Sequence, residues 1–409
     1  MLSVPRTEAP LRQGGFAARA PLRVAVAGGG VGGLETLVAL RGLVGPRVAL
    51  TLVAPEERFS VRALDALEPF GLGVSQHHPL AELAADLDAD LLRDAVAGVE
   101  CGERTVRLAS GARLAYDVLV LALSASPSPA FEHGLCFERA HEAEAFDEVL
   151  ADLRAERAPD VAIVVPEGVT WTLPAYELAL VVAALDHPPH VTLVTPEREP
   201  LEAFGPPATA LARGELAAAG VRLISGVHAV MAHPKLVEVA PGALLHADLV
   251  VHLPGLAGPD IPGVACDGAG FILVDDGFRA RGFDDLYAIG DATASFPKQG
   301  GLAAQQADLV AEQIAQRAGA EHAPRPYRPV LRGLLRTAGG PRYLRAGALG
   351  ATPPAEVSER CLWWPPGPIA ARWLVPWLAA RGREGGPLPS PRLLPSGAIS
   401  RAASRRAHP

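Results

Sequence analysis

The sequence contains only two lysines, Lys235 and Lys298, in a chain of 409 residues whose other permanently charged basic side chains are arginines. This bias most simply reflects coding preference, and it makes both lysines easy to inspect. The formal net charge of −8 gives no basis for nucleic-acid binding, which needs basic surface to neutralise phosphates.

Cysteine is also scarce, and its four positions are widely separated: Cys101, Cys136, Cys266 and Cys361. No pair has CxxC or metal-ligand spacing, which argues against structural zinc and favours a reducing, intracellular setting. The histidines show no ligand spacing either, so no metal is expected. Isolated cysteines of this kind more often fill apolar space than react.

Long apolar runs are absent as well. No stretch reaches the roughly 18 apolar residues that would span a bilayer, and residues 1–20 lack the continuous apolar core of a signal peptide. We therefore expect a cytoplasmic protein with a flexible leader at residues 1–20. Residues 381–409 are rich in Pro, Ser, Gly and Arg, which predicts a disordered basic tail.

The most informative stretch of the sequence is Leu22–Gly42. An apolar strand, Val24–Ala27, leads into the sequence GGGVGG and then into a helical pattern, as in the opening of a dinucleotide-binding βαβ unit. Gly28 permits a sharp turn, Gly30 permits close approach of a pyrophosphate, and Gly33 permits close packing of helix on strand. The helix amides and dipole then favour a bound phosphate.

A second buried strand is predicted at Val48–Val53. In dinucleotide folds an acid about 20 residues past the glycines binds the ribose hydroxyls. Glu56 is the candidate here, although a solvated loop acid is an equally simple interpretation. The following stretch Phe59–Gly73, which contains Arg62, either lines a cofactor or is an ordinary connection.

A second βαβ pattern begins at Val161–Val165. When this turn is aligned with the GxGxxG pattern of the first, Pro166, Gly168 and Trp171 stand at the three glycine positions. Proline removes an amide, and the indole takes up space where helix and phosphate should meet. The sequence therefore predicts a duplicated architecture with an altered second nucleotide site, which weakens the case for NAD(P)H as a ligand.

The chain then returns to its first domain, with a short predicted strand ending at Gly290 and Asp291, and a helix over residues 302–318. The predicted fold is α/β, with two Rossmann-like domains, the second inserted in the first, and a small C-terminal region. The predicted bounds are 21–145 and 265–322 for the first domain, 146–264 for the second, and 323–380 for the C-terminal region.

Three segments, GGGVGGLE at 28–35, YDVLV at 116–120 and YAIGD at 287–291, together resemble the FAD-dependent pyridine nucleotide-disulfide oxidoreductases. The chain is most similar to the branch of sulfide:quinone oxidoreductases and type II NADH dehydrogenases. The resemblance implies bound FAD, with Asp291 on its ribityl–pyrophosphate region and Lys298 and Gln299 beside the flavin ring. The predicted cofactor-binding residues are Gly28, Gly30, Gly32, Gly33, Glu56, Arg62, Gly290 and Asp291, and the predicted catalytic residues are Lys298 and Gln299.

The activity implied by this resemblance is transfer of electrons through bound flavin to a quinone or similar acceptor, with NAD(P)H as the family's usual donor. The quinone-site pattern AQxAxQ is only partly met, at residues 304–309. Sulfide oxidation in that branch needs a cysteine in the second nucleotide domain, and none occurs between Cys136 and Cys266. The rival interpretation is a flavin-binding protein with a structural or sensing role and little turnover.

The C-terminal region holds four of the five tryptophans, at Trp363, Trp364, Trp373 and Trp377. One interpretation is an interfacial anchor at the inner face of a membrane. The alternative is packing over the flavin domain or a homodimer contact, which the interrupting prolines favour.

Overall fold

The computed structural model describes residues 20–60, 76–137, 160–233, 235–240, 242–295, 297–321, 323–347, 353–367 and 369–381. Arg62, most of the stretch Phe59–Gly73, the leader at residues 1–19 and the tail at residues 382–409 lie outside the described residues.

The described residues form six α-helices and 23 strands. The helices are α1 (Val31–Val44), α2 (Leu80–Asp86), α3 (Leu173–Val182), α4 (Pro206–Ala218), α5 (Gly300–Arg317) and α6 (Leu374–Arg381). The strands are β1 (Leu22–Ala27), β2 (Val48–Val53), β3 (Arg58–Phe59), β4 (His78–Pro79), β5 (Ala89–Leu92), β6 (Val96–Glu100), β7 (Thr105–Leu108), β8 (Arg113–Ala115), β9 (Val118–Leu121), β10 (Ser126–Ser128), β11 (Leu135–Cys136), β12 (Asp160–Val164), β13 (His190–Thr195), β14 (Arg222–Ser225), β15 (Ala229–His233), β16 (Leu236–Val239), β17 (Ala243–His246), β18 (Leu249–His252), β19 (Gly255–Ala257), β20 (Leu286–Ala288), β21 (Val330–Thr337), β22 (Gly340–Gly347) and β23 (Glu356–Ser358).

The first sheet has five parallel strands in the order β20-β9-β1-β2-β5. Its central strand is buried on both faces, as parallel sheets usually are. Val24 and Val26 pack into the core shared with α1 and α5, while Ala25 and Ala27 face the core under β6–β8. The apolar run is unbroken because both faces of this strand are covered.

The second sheet, β11-β18-β12-β13-β14, is also all parallel. Val161 and Ile163 pack under α3 and α4, and Ala162 and Val164 pack under β15–β17. The two sheets share one plan, and β20 rejoins the first sheet only after the second is complete. The prediction of an α/β protein with two Rossmann-like domains, one inserted in the other, is confirmed.

The two crossings between the sheets lie side by side. Strand β10 pairs antiparallel with β19, with Ser126 opposite Ala257 and Ser128 opposite Gly255. Strand β11 then belongs by its pairing to the second sheet, although the sequence analysis places its residues in the first domain. The remaining domain bounds stay predictions.

The C-terminal region forms the antiparallel sheet β21-β22-β23 and the helix α6. Leu331 and Leu335 of this sheet belong to the same core as α3. Helix α6 is attached to α1 by the buried carboxyl group of Glu35, which accepts the backbone N–H groups of Trp373 at 2.8 Å and Leu374 at 2.5 Å. This region therefore joins both dinucleotide domains.

Three of the four C-terminal tryptophans pack against the protein. Trp363 makes an edge contact with Tyr343, at 5.3 Å between ring centroids, and Trp373 and Trp377 pack against the core of the first domain. Trp364 is 79% exposed. Among the described residues, no helix is both long and apolar enough to cross a membrane.

Candidate functional site

A cavity of about 700 Å³ lies where the two domains and the C-terminal sheet meet. Five segments supply its principal walls. They are the start of α1 at residues 30–32, the Gly290-Asp291 turn, residues 298–300 at the start of α5, the loop 167–171 of the second domain, and residues 332–336 of β21.

The glycine turn on one wall meets two different steric demands. A Cβ on Gly33 would lie 1.9 Å from the carbonyl oxygen of Gly28, so only glycine allows α1 to pack this closely on β1. Gly28 has φ of +117°, and a Cβ there would lie 2.2 Å from the carbonyl oxygen of Ala122. Both glycines are therefore required by the fold itself.

Gly30 differs from its neighbours because no atom lies within 4 Å of the position that its Cβ would occupy. Its φ of −83° is open to any residue, and it is the N-cap of α1, so it leaves the helix start without a capping side chain. The protein itself therefore does not require glycine at Gly30. The open space at a helix N-terminus fits a bound phosphate group, which needs bare amides and close approach.

The Gly290-Asp291 turn lies directly beside this helix start. A Cβ on Gly32 would be 3.3 Å from the side chain of Ile289, the residue before the turn. Gly290 has φ of +69° and donates its N–H to Gln306 Oε1 at 2.6 Å. The structure thus brings together two predicted segments that are about 260 residues apart in the sequence.

Lys298 is 7% exposed and lines the cavity. Its ammonium donates to the backbone carbonyls of Asp291, at 3.2 Å, and of Thr293, and it lies 3.9 Å from the centre of the Phe271 ring. Burial lowers its pKa to about 8, although Asp291 and Asp267 favour the charged form. The side chain can therefore change charge in a mildly alkaline solution.

The side-chain amide of Gln299 has structural partners. Its oxygen accepts the N–H of Leu302 at 2.8 Å and so caps α5, while its nitrogen donates to the carbonyl of Arg332 at 3.1 Å. The neighbouring Gln305 exchanges two 2.9 Å hydrogen bonds with the backbone of Val330. These glutamines attach α5 to β21, and Gln306 positions Gly290.

Two sequence predictions concern residues away from this cavity. Glu56 is exposed beyond the end of β2 and is not among the lining residues. Cys136, Cys266 and Cys361 also lie outside the lining, and among the described residues no cysteine contributes to it.

The second turn departs from the first in length as well as composition. Three residues, Gly28–Gly30, connect β1 to α1, whereas eight residues, 165–172, connect β12 to α3. Pro166 is buried, and Trp171 packs against the core of the second domain with its ring centroid 5.8 Å from that of Phe204. The longer loop itself forms part of the cavity wall.

Glu197 follows β13, close to the position at which a dinucleotide fold usually holds its ribose-binding acid. Its carboxylate accepts the Tyr176 hydroxyl at 2.6 Å, lies 3.4 Å from the Thr195 hydroxyl and is 9% exposed. Burial raises the pKa of Glu197. This acid is therefore engaged within the domain rather than presented to a ligand.

Sequence reasoning missed the contribution of β21. Arg336 forms an ion pair with Glu177 of α3 at 2.8 Å, and both residues line the cavity together with Arg332. The only sequence signal was a Pro/Arg/Gly-rich composition. Residues 331–336 read LRGLLR, which puts Leu331, Gly333 and Leu335 at alternate positions, and this period of two could have indicated a strand.

The two parallel sheets and the glycine-lined helix start define a protein with a two-domain dinucleotide-binding fold. The family described as pyridine nucleotide-disulphide oxidoreductase matches residues 22–308, so the chain belongs to this family of FAD-dependent oxidoreductases. The open space at Gly30 and the adjoining Gly290-Asp291 turn fit the FAD that the family binds.

Among known proteins, the sulfide-quinone reductase of Aquifex aeolicus (strain VF5) is 30% identical over 167 residues, which are 38% of this chain and 37% of that protein. The match therefore spans well under two thirds of that relative. The structure of the sulfide:quinone oxidoreductase from Aquifex aeolicus gives a TM-score of 0.74 at 22% identity, covering 82% of this chain and 86% of the other. NDH2 from Plasmodium falciparum gives 0.61 at 11% identity, covering 81% and 92%. At these identities the structural likeness shows the fold alone.

Proposed function

We propose that this protein passes electrons through bound FAD to a quinone or similar acceptor, and that its donor is not a nicotinamide nucleotide. The observation that carries the proposal is one continuous cavity, which joins the helix start at Gly30 to the second-domain loop and to β21. A cofactor on one wall and a second substrate against the others would share this space.

The chain's own residues would hold the cofactor. The bare amides at the start of α1 would bind its pyrophosphate, and Asp291 would bind its ribityl region. When bound there, FAD would supply the redox chemistry that links an electron donor to an acceptor. Lys298 and the positive end of α5 would place positive charge on the same wall, which favours any negative charge that develops there.

The second nucleotide turn supports a donor other than NAD(P)H. Pro166 offers no amide to a phosphate, and eight residues rather than three separate the end of β12 from the start of α3. Glu197 already accepts a hydrogen bond from Tyr176 inside the domain. A nucleotide would therefore lack both its phosphate cradle and its ribose partner.

The cavity lining also argues against sulfide as the donor. Oxidation of sulfide in the resembling branch uses cysteines beside the flavin, and within the described residues none lines the cavity. For the tryptophan-rich stretch we propose the packing role, because three of its four rings contact the protein. The exposed Trp364 would be the anchor of any membrane or dimer contact.

The test is anaerobic reduction of the purified holoprotein by a panel of small reductants, followed by absorbance of the flavin. We expect rapid bleaching by at least one non-nicotinamide donor, then recovery on addition of a soluble quinone. Bleaching by NADH or NADPH alone would overturn the choice of donor. A flavin that no donor reduces would favour the structural or sensing role instead.

A further inference from the structure

One cation on the cavity wall has no counterion. Among the described residues, the Arg332 guanidinium has neither a hydrogen-bond acceptor nor a carboxylate within ion-pair distance, and its Nε is buried without a partner. A buried donor that stays unpaired is costly, and an uncompensated charge is more so. Burial and the neighbouring Arg345 lower the pKa of Arg332.

The strand register makes this arrangement less favourable still. Arg332 lies directly opposite Arg345 in the β21–β22 pair, so two like charges share one face of the sheet. Arg345 is compensated by an ion pair with Glu356. The opposite face of β21 carries Leu331 and Leu335, which are in the core, so Arg332 stays on the side that it shares with Leu334 and Arg336.

The other cations of the described cavity lining have carboxylates beside them. Arg336 is paired with Glu177, and Lys298 is attracted by Asp291. Arg332 is the exception among the described lining residues. Its backbone is held to the start of the 18-residue helix α5 through Gln299, so the positive end of that helix lies close by.

We infer that Arg332 and the start of α5 form an anion-binding site, and that the electron donor, rather than the quinone, binds there through a carboxylate, sulfonate or phosphate. This inference rests on the proposed function. An anion would supply the missing acceptor and charge at once, and charge-assisted hydrogen bonds to arginine are the strong ones. The neutral quinone acceptor would leave this charge uncompensated, so we assign the anionic group to the donor.

The test uses benzoate as the probe and benzamide as its neutral match. Each is titrated into the holoprotein at fixed ionic strength, and its binding is followed by the shift in flavin absorbance. Arg332→Gln should weaken benzoate binding by about 10- to 150-fold, the loss expected for one hydrogen bond to a charged group. Arg332→Lys should retain part of the affinity. Arg213→Gln, which breaks an exposed pair with Glu199, is the control and should change nothing.

Thermal unfolding gives an independent readout. Without a ligand, Arg332→Gln should be at least as stable as the natural chain, because it removes a charge that faces Arg345. Saturating benzoate should raise the melting temperature of the natural chain and leave that of Arg332→Gln nearly unchanged. A variant that is destabilised without ligand would mean that Arg332 has a structural role, and would overturn the inference.

Two further outcomes would also overturn it: equal binding of benzoate and benzamide, or a lower flavin midpoint potential in Arg332→Gln with benzoate affinity unchanged. The second would mean that the charge serves the flavin. Failure of the proposed function is seen separately, as a chain that binds no FAD. In that case calorimetry with the flavin-free chain still measures the affinity of the anion-binding site for benzoate.

Discussion

The glycine turn allows a cofactor-binding role to be separated from a folding role by two substitutions three residues apart. A Cβ at residue 33 would lie 1.9 Å from the Gly28 carbonyl oxygen, whereas a Cβ at residue 30 would meet no atom within 4 Å. We therefore expect Gly33→Ala to lose about 1–3 kcal/mol of unfolding free energy through overpacking. Gly30→Val should lose about 1 kcal/mol or less, from the weaker helix cap.

For FAD affinity we expect the opposite: Gly30→Val should weaken binding directly, and Gly33→Ala only through the loss of stability. In Gly30→Val a branched side chain occupies the space in which phosphate would approach the helix amides. Each charge-assisted hydrogen bond lost there is worth about 1.5–3 kcal/mol, so FAD affinity should fall at least tenfold. In Gly33→Ala any loss of flavin should accompany the loss of fold.

Urea unfolding of the flavin-free chains gives the first quantity, and titration of FAD into them gives the second. The natural chain and Gly268→Ala, whose added Cβ is also in open space at a glycine without a positive φ, serve as the references. If Gly30→Val binds FAD as tightly as the natural chain, Gly30 does not hold the cofactor. If Gly30→Val is as destabilised as Gly33→Ala, Gly30 is required by the fold and the two roles are not separate.

Three further predictions concern charge and the second nucleotide site. Lys298→Met should lower the flavin midpoint potential at pH 6.5, by about 30 mV for each 1.4 kcal/mol of lost stabilisation. The difference between variant and natural chain should shrink above pH 8, because the natural lysine loses its proton there. Spectroelectrochemical titration measures both, and an unchanged or higher potential would contradict this prediction. Burial and Asp308 raise the pKa of Glu35, so the native chain keeps a proton that the unfolded chain loses, and stability falls as pH rises above the ordinary carboxyl range. Asp308→Asn should therefore stabilise the protein more at pH 8 than at pH 5 in urea unfolding, and equal effects at both would count against the buried pair. Stopped-flow reduction by NADH or NADPH should be slow and weakly saturating, with Trp171→Gly improving it only partly because Pro166 still lacks an amide; fast reduction at micromolar nucleotide would contradict this prediction.

The parts of the fold that the sequence predicts well are those with local, repeated signals. Strand β2 was predicted at Val48–Val53 and has those bounds, and the helix predicted over residues 302–318 is α5, Gly300–Arg317. The first is a largely apolar run that ends just before a proline, and the second is a long periodic segment that lies between glycines. Their period and their boundaries are determined by neighbours in the sequence, so a single sequence is enough to place them.

The site was harder to predict, because its contacts are distant in the sequence. Glu35 resembles an ordinary helix residue, yet its partners are backbone groups at residues 373 and 374. Gln306 is significant only because its amide meets Gly290. In β21 the neighbouring arginines weaken the strand pattern set by Leu331 and Leu335. Whether those arginines line a cavity depends on how the C-terminal sheet packs against the two domains.

Electron transfer from the flavin to a quinone is the central claim, and it can be measured without knowing the donor. The bound flavin is first reduced anaerobically with light, and the reduced protein is then mixed with a soluble quinone in a stopped-flow instrument. We expect flavin absorbance to return quickly, with a rate that saturates in quinone and exceeds the rate with oxygen. A flavin that stays reduced with excess quinone, or a purified chain that binds no FAD, would contradict it.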